Sequence, residues 1–401
     1  MMSAMVEQAK ACTSSHGPGS MDSIWKILLW SFACLTDGRW PLFDWNNEPL
    51  QGWRAEKSGC PLAGEYRFAF WGIAADLDYL CNVWRLRHFN AATNNCFRCN
   101  CNRSDTPWTD LTPSAAWRAK PVSMGQWMFT EKHPLFKARN IGYNVHHVML
   151  DVMHLADLGM NQHILASILY ILPFDCALPG RLDDKKQLIW QELLSAYQQL
   201  GTPAGEKLAH TTFEGIWEDR RSGSPSTYPV LGAKAAISRH FVPALKLVML
   251  NLENWAPLHD RTAPFLTHSI ALLVALDIFY ETIMFEGPWL SEIGAQQAHD
   301  SLQAVGAHHQ HLCNMSLEQG RKLFYLTEKA HYMQHVAIEC IATRSNPRLG
   351  WTYADEDFMG RIAKVASQCT RARGPLRVTG ALFLRYRHCL FLRWGRRARL
   401  V

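Results

Sequence analysis

The stretch 149-MLDVMHLADLG-159 ends a short apolar run on an aspartate and places a histidine three residues later. Val148, Met149 and Leu150 read as the end of a buried strand, and the residues from His154 onward as the start of a helix. A carboxylate at a strand end stands on a rigid platform and faces whatever lies beyond the sheet. Asp151 therefore has two readings: a cap for the following helix or, together with His154, a metal ligand. The choice depends on residues elsewhere in the chain.

Upstream, 65-EYRFAFWGIAADLDYL-80 is an aromatic and branched run that predicts a strand ending near Asp76, again followed by a helix start. Downstream, Glu356 falls near the start of a late helix in 351-WTYADEDFMGRIAKVA-366. Acids from separate elements, converging above a sheet, suit hard divalent cations. Mg²⁺ takes oxygen ligands and keeps positions open for water and phosphate oxygens. A metal pair can activate an attacking oxygen and stabilise the leaving one. Glu356 alone has a simpler reading, since acids are favoured at helix N-termini.

The segment 96-CFRCNC-101 carries Cys96 and Cys99 in CxxC spacing, which puts two thiolates on one metal by local geometry. No second CxxC exists, so a zinc site must borrow ligands from afar. Cys101, His146, His154 and the pair His331/His335 are the candidates; the last two stand at i, i+4 in 329-KAHYMQH-335. A redox CxxC would open a helix after a strand, and polar loop residues surround this one. Unliganded thiols and structurally satisfied histidines are the plainer alternatives. The 12 cysteines are scattered rather than spaced as a disulfide framework, and no secretory signal is visible, so reduced thiols of the cytosol or nucleus are expected.

In 401 residues, a hydrophobic content of 48% and 16 tryptophans predict a globular chain with a large core. The net charge of +6 is unevenly spread. From Gly360 onward there is no Asp or Glu, while Arg385, Arg387, Arg393, Arg396 and Arg397 lie among other arginines. Such a terminus attracts phosphates, or serves as a solubilising or mitochondrial-type tail. No membrane segment is expected: 24-IWKILLWSFACL-35 is short and carries Lys26, and 268-HSIALLVALDIFYETIMF-285 contains Asp277 and Glu281. Residues 1–20 read as disordered, 21–175 as the first part of an α/β core with the Cys cluster, 176–325 as an all-helical insertion, and 326–401 as the last part of the core with a basic C-terminal helix.

The order of motifs is a strand-end Asp, CxxC, DxxH, a long helical stretch, HxxxH, then Glu at a helix start. It resembles the catalytic region of cut-and-paste DNA transposases of the CACTA/Plavaka type. The stretches carrying the likeness are 74-AADLDYL-80, 96-CFRC-99, 151-DVMH-154, 329-KAHYMQH-335 and 353-YADEDFMGRIAKVA-366. The resemblance spans roughly residues 25–395. It implies an α/β, RNase H-like mixed sheet flanked by helices and interrupted by a large all-helical insertion. It also implies a DDE triad of Asp76, Asp151 and Glu356 holding Mg²⁺ or Mn²⁺, with Zn²⁺ at Cys96 and Cys99 and His154 as a further metal ligand. Asp78 is an alternative first acid. The 356-EDFMG-360 signature favours Glu356 over Asp355 and Asp357. DNA would be the partner, met by Arg385, Arg387, Arg393, Arg396 and Arg397, in the nucleus, with a homo-oligomer allowed. The chain departs from the pattern in having no recognisable amino-terminal DNA-binding module, the mark of a truncated or domesticated copy. Two other functions compete: a DNA-binding descendant without catalysis, and an unrelated metallohydrolase that gathers His154, His331 and His335 around one metal.

Overall fold

The computed structural model describes residues 19–88, 91, 95–123, 125–126, 147–176, 178–217, 225–251, 264–369, 380–382 and 384–386. Helix α1 (Gly19–Asp37) and a single turn, α2 (Trp53–Glu56), precede strand β1 (Ile73–Ala75) and α3 (Leu77–Asn82). Strand β2 (Val148–Leu150) runs into a wide π-helical turn (Met153–Met160) and then α4 (Asn161–Asp175). After these come α5 (Leu182–Gln199), α6 (His210–Gly215), α7 (Ala235–Leu250), α8 (Pro264–Phe285), α9 (Glu292–Glu318), α10 (Glu328–Thr343) and α11 (Tyr353–Cys369).

Helix dominates, and the expected RNase H-like mixed sheet is not what forms. Among the described residues the sheet has two strands only, β1 and β2, paired in parallel with Ile73 opposite Val148, Ala74 opposite Met149 and Ala75 opposite Leu150. The physical reason lies at the sheet's flank. The Arg98 guanidinium donates to the Val148 carbonyl. The turn Pro347–Gly350 lies so close to β2 that a Cβ on Gly350 would stand 3.0 Å from the Leu150 carbonyl oxygen. A side chain and a turn thus cover β2 where a sheet would grow by adding a strand. Residues 65–72, expected to begin a strand, include Tyr66 and Trp71 at the surface.

One hydrophobic core runs from Trp25 to Cys340, so the helices expected as an insertion share it with the strands. Helix α4 is its axis: Ile164, Leu165, Ile168, Leu169, Ile171 and Leu172 are all fully buried, leaving no polar face. Helix α8 contributes Leu272, Leu276, Phe279 and Ile283, also fully buried. Residues Met153–Asp175 and α8 are long and apolar enough to cross a membrane by length and composition, but both bury more than half of their apolar stretch inside the protein. The turn before α4 departs from helical geometry at Gly159 (φ −118°, ψ −111°). A Cβ there would stand 2.6 Å from Lys329 Cδ and 3.2 Å from its Cβ, so glycine lets the start of α10 pack against the π-helical turn.

Candidate metal centre and acid cluster

Cys96 and Cys99 are brought to His331 and His335 of α10, and all four side chains are buried. Cys96 Sγ lies 3.5 Å from His335 Nε2, Cys99 Sγ lies 3.4 Å from His331 Nε2, and the two Nε2 atoms are 3.2 Å apart. A tetrahedral zinc with Zn–S of about 2.3 Å and Zn–N of about 2.0–2.1 Å requires S···N of about 3.5 Å and N···N of about 3.3 Å. The separations agree with that geometry, and the group can bind zinc. With four protein ligands and no open position, it is of the structural rather than the catalytic kind.

The surroundings favour a thiolate on Cys96 and a neutral His335. Burial works against a charge on Cys96, but hydrogen bonds from Cys101 and Cys99 and the nearby His335 and His331 hold it well below its ordinary value. Burial pushes His335 down to about 4. Trp117 packs on both imidazoles, with ring centroids 4.4 and 4.9 Å away. Between the cysteines, Arg98 reaches Glu339 of α10 at 2.9 Å as well as the β2 carbonyl, so the Cys loop, α10 and the sheet are tied together. Cys101 is buried beside the thiols but is not one of the four. His154 lies elsewhere, which removes the arrangement of His154, His331 and His335 around one metal; His146 falls outside the described residues.

The acids sit at the other focus. Since Ala75 pairs with Leu150, Asp76 and Asp151 are the next residues on adjacent parallel strands, at the same end of the sheet. Asp76 caps α3, its Oδ1 accepting the Tyr79 amide at 2.6 Å. Asp151 is buried and accepts three groups: the Met153 amide at 3.0 Å on Oδ1, and the Thr352 hydroxyl (2.5 Å) and His154 Nδ1 (2.6 Å) on Oδ2. The far side of the same imidazole, Nε2, meets Glu356 Oε1 at 3.1 Å. Burial opposes protonation of His154, but Asp151, Glu356 and Asp76 outweigh it and raise its pKa. Capping and clustering thus coexist at Asp76 and Asp151. His154 stands between the Asp151 and Glu356 carboxylates. Among the described residues, the Cys/His group alone brings three or more such donors within 4.8 Å of one another.

Asp78 is exposed and bonds Asn82 on the outer side of α3. Asp357 pairs with Arg361 at the surface. Of the arginines expected at DNA, Arg385 is exposed and donates to Gln368; Arg387, Arg393, Arg396 and Arg397 lie outside the described residues, with Leu390, Phe391 and Leu392. Leu382 packs on Ile362 and Cys369 of α11, but Leu384, expected in the same apolar face, is 66% exposed. Its position two residues on from Leu382 puts it on the opposite side of any helical turn.

Sequence reading missed several residues of this cluster. Thr352 had a signal, since Thr352 followed by Asp355 fits the S/T-x-x-D/E pattern of a helix start. Lys329, half-buried and within the field of Asp76 and Asp151, had none. Nor had Asp157, which is fully buried and accepts Tyr280 Oη at 2.5 Å and Tyr353 Oη at 2.7 Å. Burial pushes its pKa from 3.8 up to about 7, against the pull of both tyrosines and Arg239. The folded chain therefore holds this proton more tightly than the unfolded one, and stability falls as pH rises from about 4 to about 7. Asp157→Asn should remove that dependence. At pH 8 its gain over wild type is at most about 4 kcal/mol, from roughly 3 pKa units at 1.36 kcal/mol each. Urea melts at pH 5 and pH 8 check this; equal differences between the two chains at both pH values would refute it.

No family model, characterised protein or solved structure matches this chain.

Proposed function

We propose that the chain is a transposase-like protein of the CACTA/Plavaka type that cleaves and transfers DNA strands, with Asp76, Asp151 and Glu356 as the acids for Mg²⁺ or Mn²⁺. The observation that carries this reading is the register of β1 and β2, which sets Asp76 and Asp151 side by side at one sheet end. The Thr352 hydroxyl on Asp151 and the His154 bridge bring the start of the Glu356 helix to the same end. Carboxylates are the donors a hard divalent cation takes, and their negative potential raises the pKa of His154 against the effect of burial. Cations held there would offset charge on a phosphodiester and make the attacking oxygen more nucleophilic.

The chain's own residues have separate tasks. The Met153 amide and the Thr352 hydroxyl fix the direction of the Asp151 carboxylate. His154, in reach of Asp151 and Glu356, can hold a proton at Nδ1 or Nε2. Arg385, Arg387, Arg393, Arg396 and Arg397 would meet phosphates and set register without reading sequence. Replacing Arg393, Arg396 and Arg397 by Gln should lower the salt slope of DNA binding by roughly 2–3, at about 0.9 per phosphate. An unchanged slope makes the terminus a solubilising surface.

A second reading, a catalytically inactive domesticated descendant that only binds DNA, is favoured by the position of His154 between two of the acids. Labelled duplex DNA incubated with purified protein and Mn²⁺ separates the two. Metal-dependent nicks support the enzyme; binding without nicks supports the descendant and ends the catalytic proposal. Either activity belongs in the nucleus.

A further inference from the structure

Helix α11 has little apolar hold on the protein. Along Tyr353–Cys369 only Ile362 and Cys369 are buried, and both face Leu382 rather than the main core. Glu356 lies in the first turn of this helix, so something polar must fix that turn. Two contacts are already accounted for, from Thr352 to Asp151 and from His154 to Glu356. A third is unused by the proposed chemistry: Tyr353 Oη donates to Asp157 Oδ2.

Asp157 is anchored from several sides. Its other oxygen accepts Tyr280 Oη of α8, and that hydroxyl in turn accepts Asn161 Nδ2 at 2.9 Å. From α7, the Arg239 guanidinium lies 4.9 Å from the Tyr353 ring centroid and 5.2 Å from that of Trp351. Its burial is offset by the two tyrosine hydroxyls and, at longer range, by the charge of Arg239, without a direct ion pair among the described residues. An asparagine in this place could bond the same two hydroxyls without the cost of a buried carboxylate. Costly buried acids that a neutral isostere could replace mark functional rather than structural positions.

We infer that Asp157 is a positioning residue that, through the Tyr353 hydroxyl, fastens the first turn of α11 to the body of the protein and so sets where Glu356 stands. The inference rests on the reading of Glu356 as the third acid, but the fastening itself is testable without activity. Hydrogen–deuterium exchange on the full chain, read at the backbone amides of residues 356–360, compares wild type with Tyr353→Phe and Asp157→Ala. Tyr353→Phe keeps the ring and its contact with Arg239 and removes only the hydroxyl, so it remains informative if Asp157→Ala fails to fold. At pH 8, above the Asp157 pKa of about 7, loss of a hydrogen bond to the carboxylate should speed local exchange about tenfold or more. Exchange in α4 and α8 should stay as in wild type. Mn²⁺-dependent nicking by Tyr353→Phe should lose about tenfold in kcat with KM for DNA unchanged, because the turn is freed while DNA contacts are kept.

Unchanged exchange at 356–360 in Tyr353→Phe overturns the inference. So does faster exchange with full kcat, since Glu356 would then need no fastening. Faster exchange in a protein whose wild type never nicks DNA leaves the fastening standing and removes the catalytic proposal instead.

Discussion

Protein purified without added metal should carry about one zinc per chain, and Cys96→Ser should lose it. The separations at Cys96, Cys99, His331 and His335 match those of a tetrahedral ion, and burial leaves no room for water as a ligand. Structural zinc in small peptides supplies about 10–16 kcal/mol of apparent folding energy. This protein has a core of its own, so a smaller share falls to the metal. A loss of only about 5 kcal/mol still lowers the melting midpoint on the order of 10 °C. Two further variants give the experiment its resolution. Cys101→Ser and His154→Ala should both retain zinc, because neither residue belongs to the group. Elemental analysis below about 0.2 zinc per chain, or unchanged zinc in Cys96→Ser, would count against the centre.

Asp151→Asn should abolish Mn²⁺-dependent DNA nicking while leaving the fold in place. Asparagine keeps the size of the side chain and an acceptor for Thr352 or the Met153 amide, but removes the charge that a divalent cation needs. Loss of an ion-holding carboxylate withdraws several kcal/mol of transition-state stabilisation, which at 1.36 kcal/mol per decade is on the order of a thousandfold in rate. Asp78→Asn is the matched control, since Asp78 points outward to Asn82. Circular dichroism and DNA affinity should be the same in both variants and in wild type. Equal nicking by Asp151→Asn and wild type would remove Asp151 from the chemistry and leave it the role of a turn cap.

The chemistry-bearing halves were visible in the sequence, but their pairing was not. CxxC and HxxxH each follow from local spacing, in a loop and on one helix face. Nothing local says that His331 rather than His154 meets the thiols, because that depends on how α10 packs on a loop some 230 positions earlier. The two strand-end acids were likewise readable from apolar runs ending in Asp. The fold class was not, because aromatic and branched runs report only that a segment suits a pleated, half-buried surface. Whether it pairs depends on neighbours, and here Arg98 and the Pro347–Gly350 turn occupy the place of the next strand. Asp157 and Lys329 stayed hidden for a related reason: a single charged residue in a helix reads as solvent-facing until tertiary contacts bury it.

The separation of 239 positions between Cys96 and His335 has a consequence for the newborn chain. At about 5–20 residues per second on the ribosome, α10 follows the Cys pair by roughly 12–48 s. The thiols wait through that interval without their imidazoles, exposed to oxidants and to competing metals. Arg98 cannot settle between β2 and Glu339 until α10 arrives, and Glu356 is made later still. Synthesis order therefore acts as a safety delay: both strand-end acids exist early, but the cluster closes only after α10 and the start of α11 have left the ribosome.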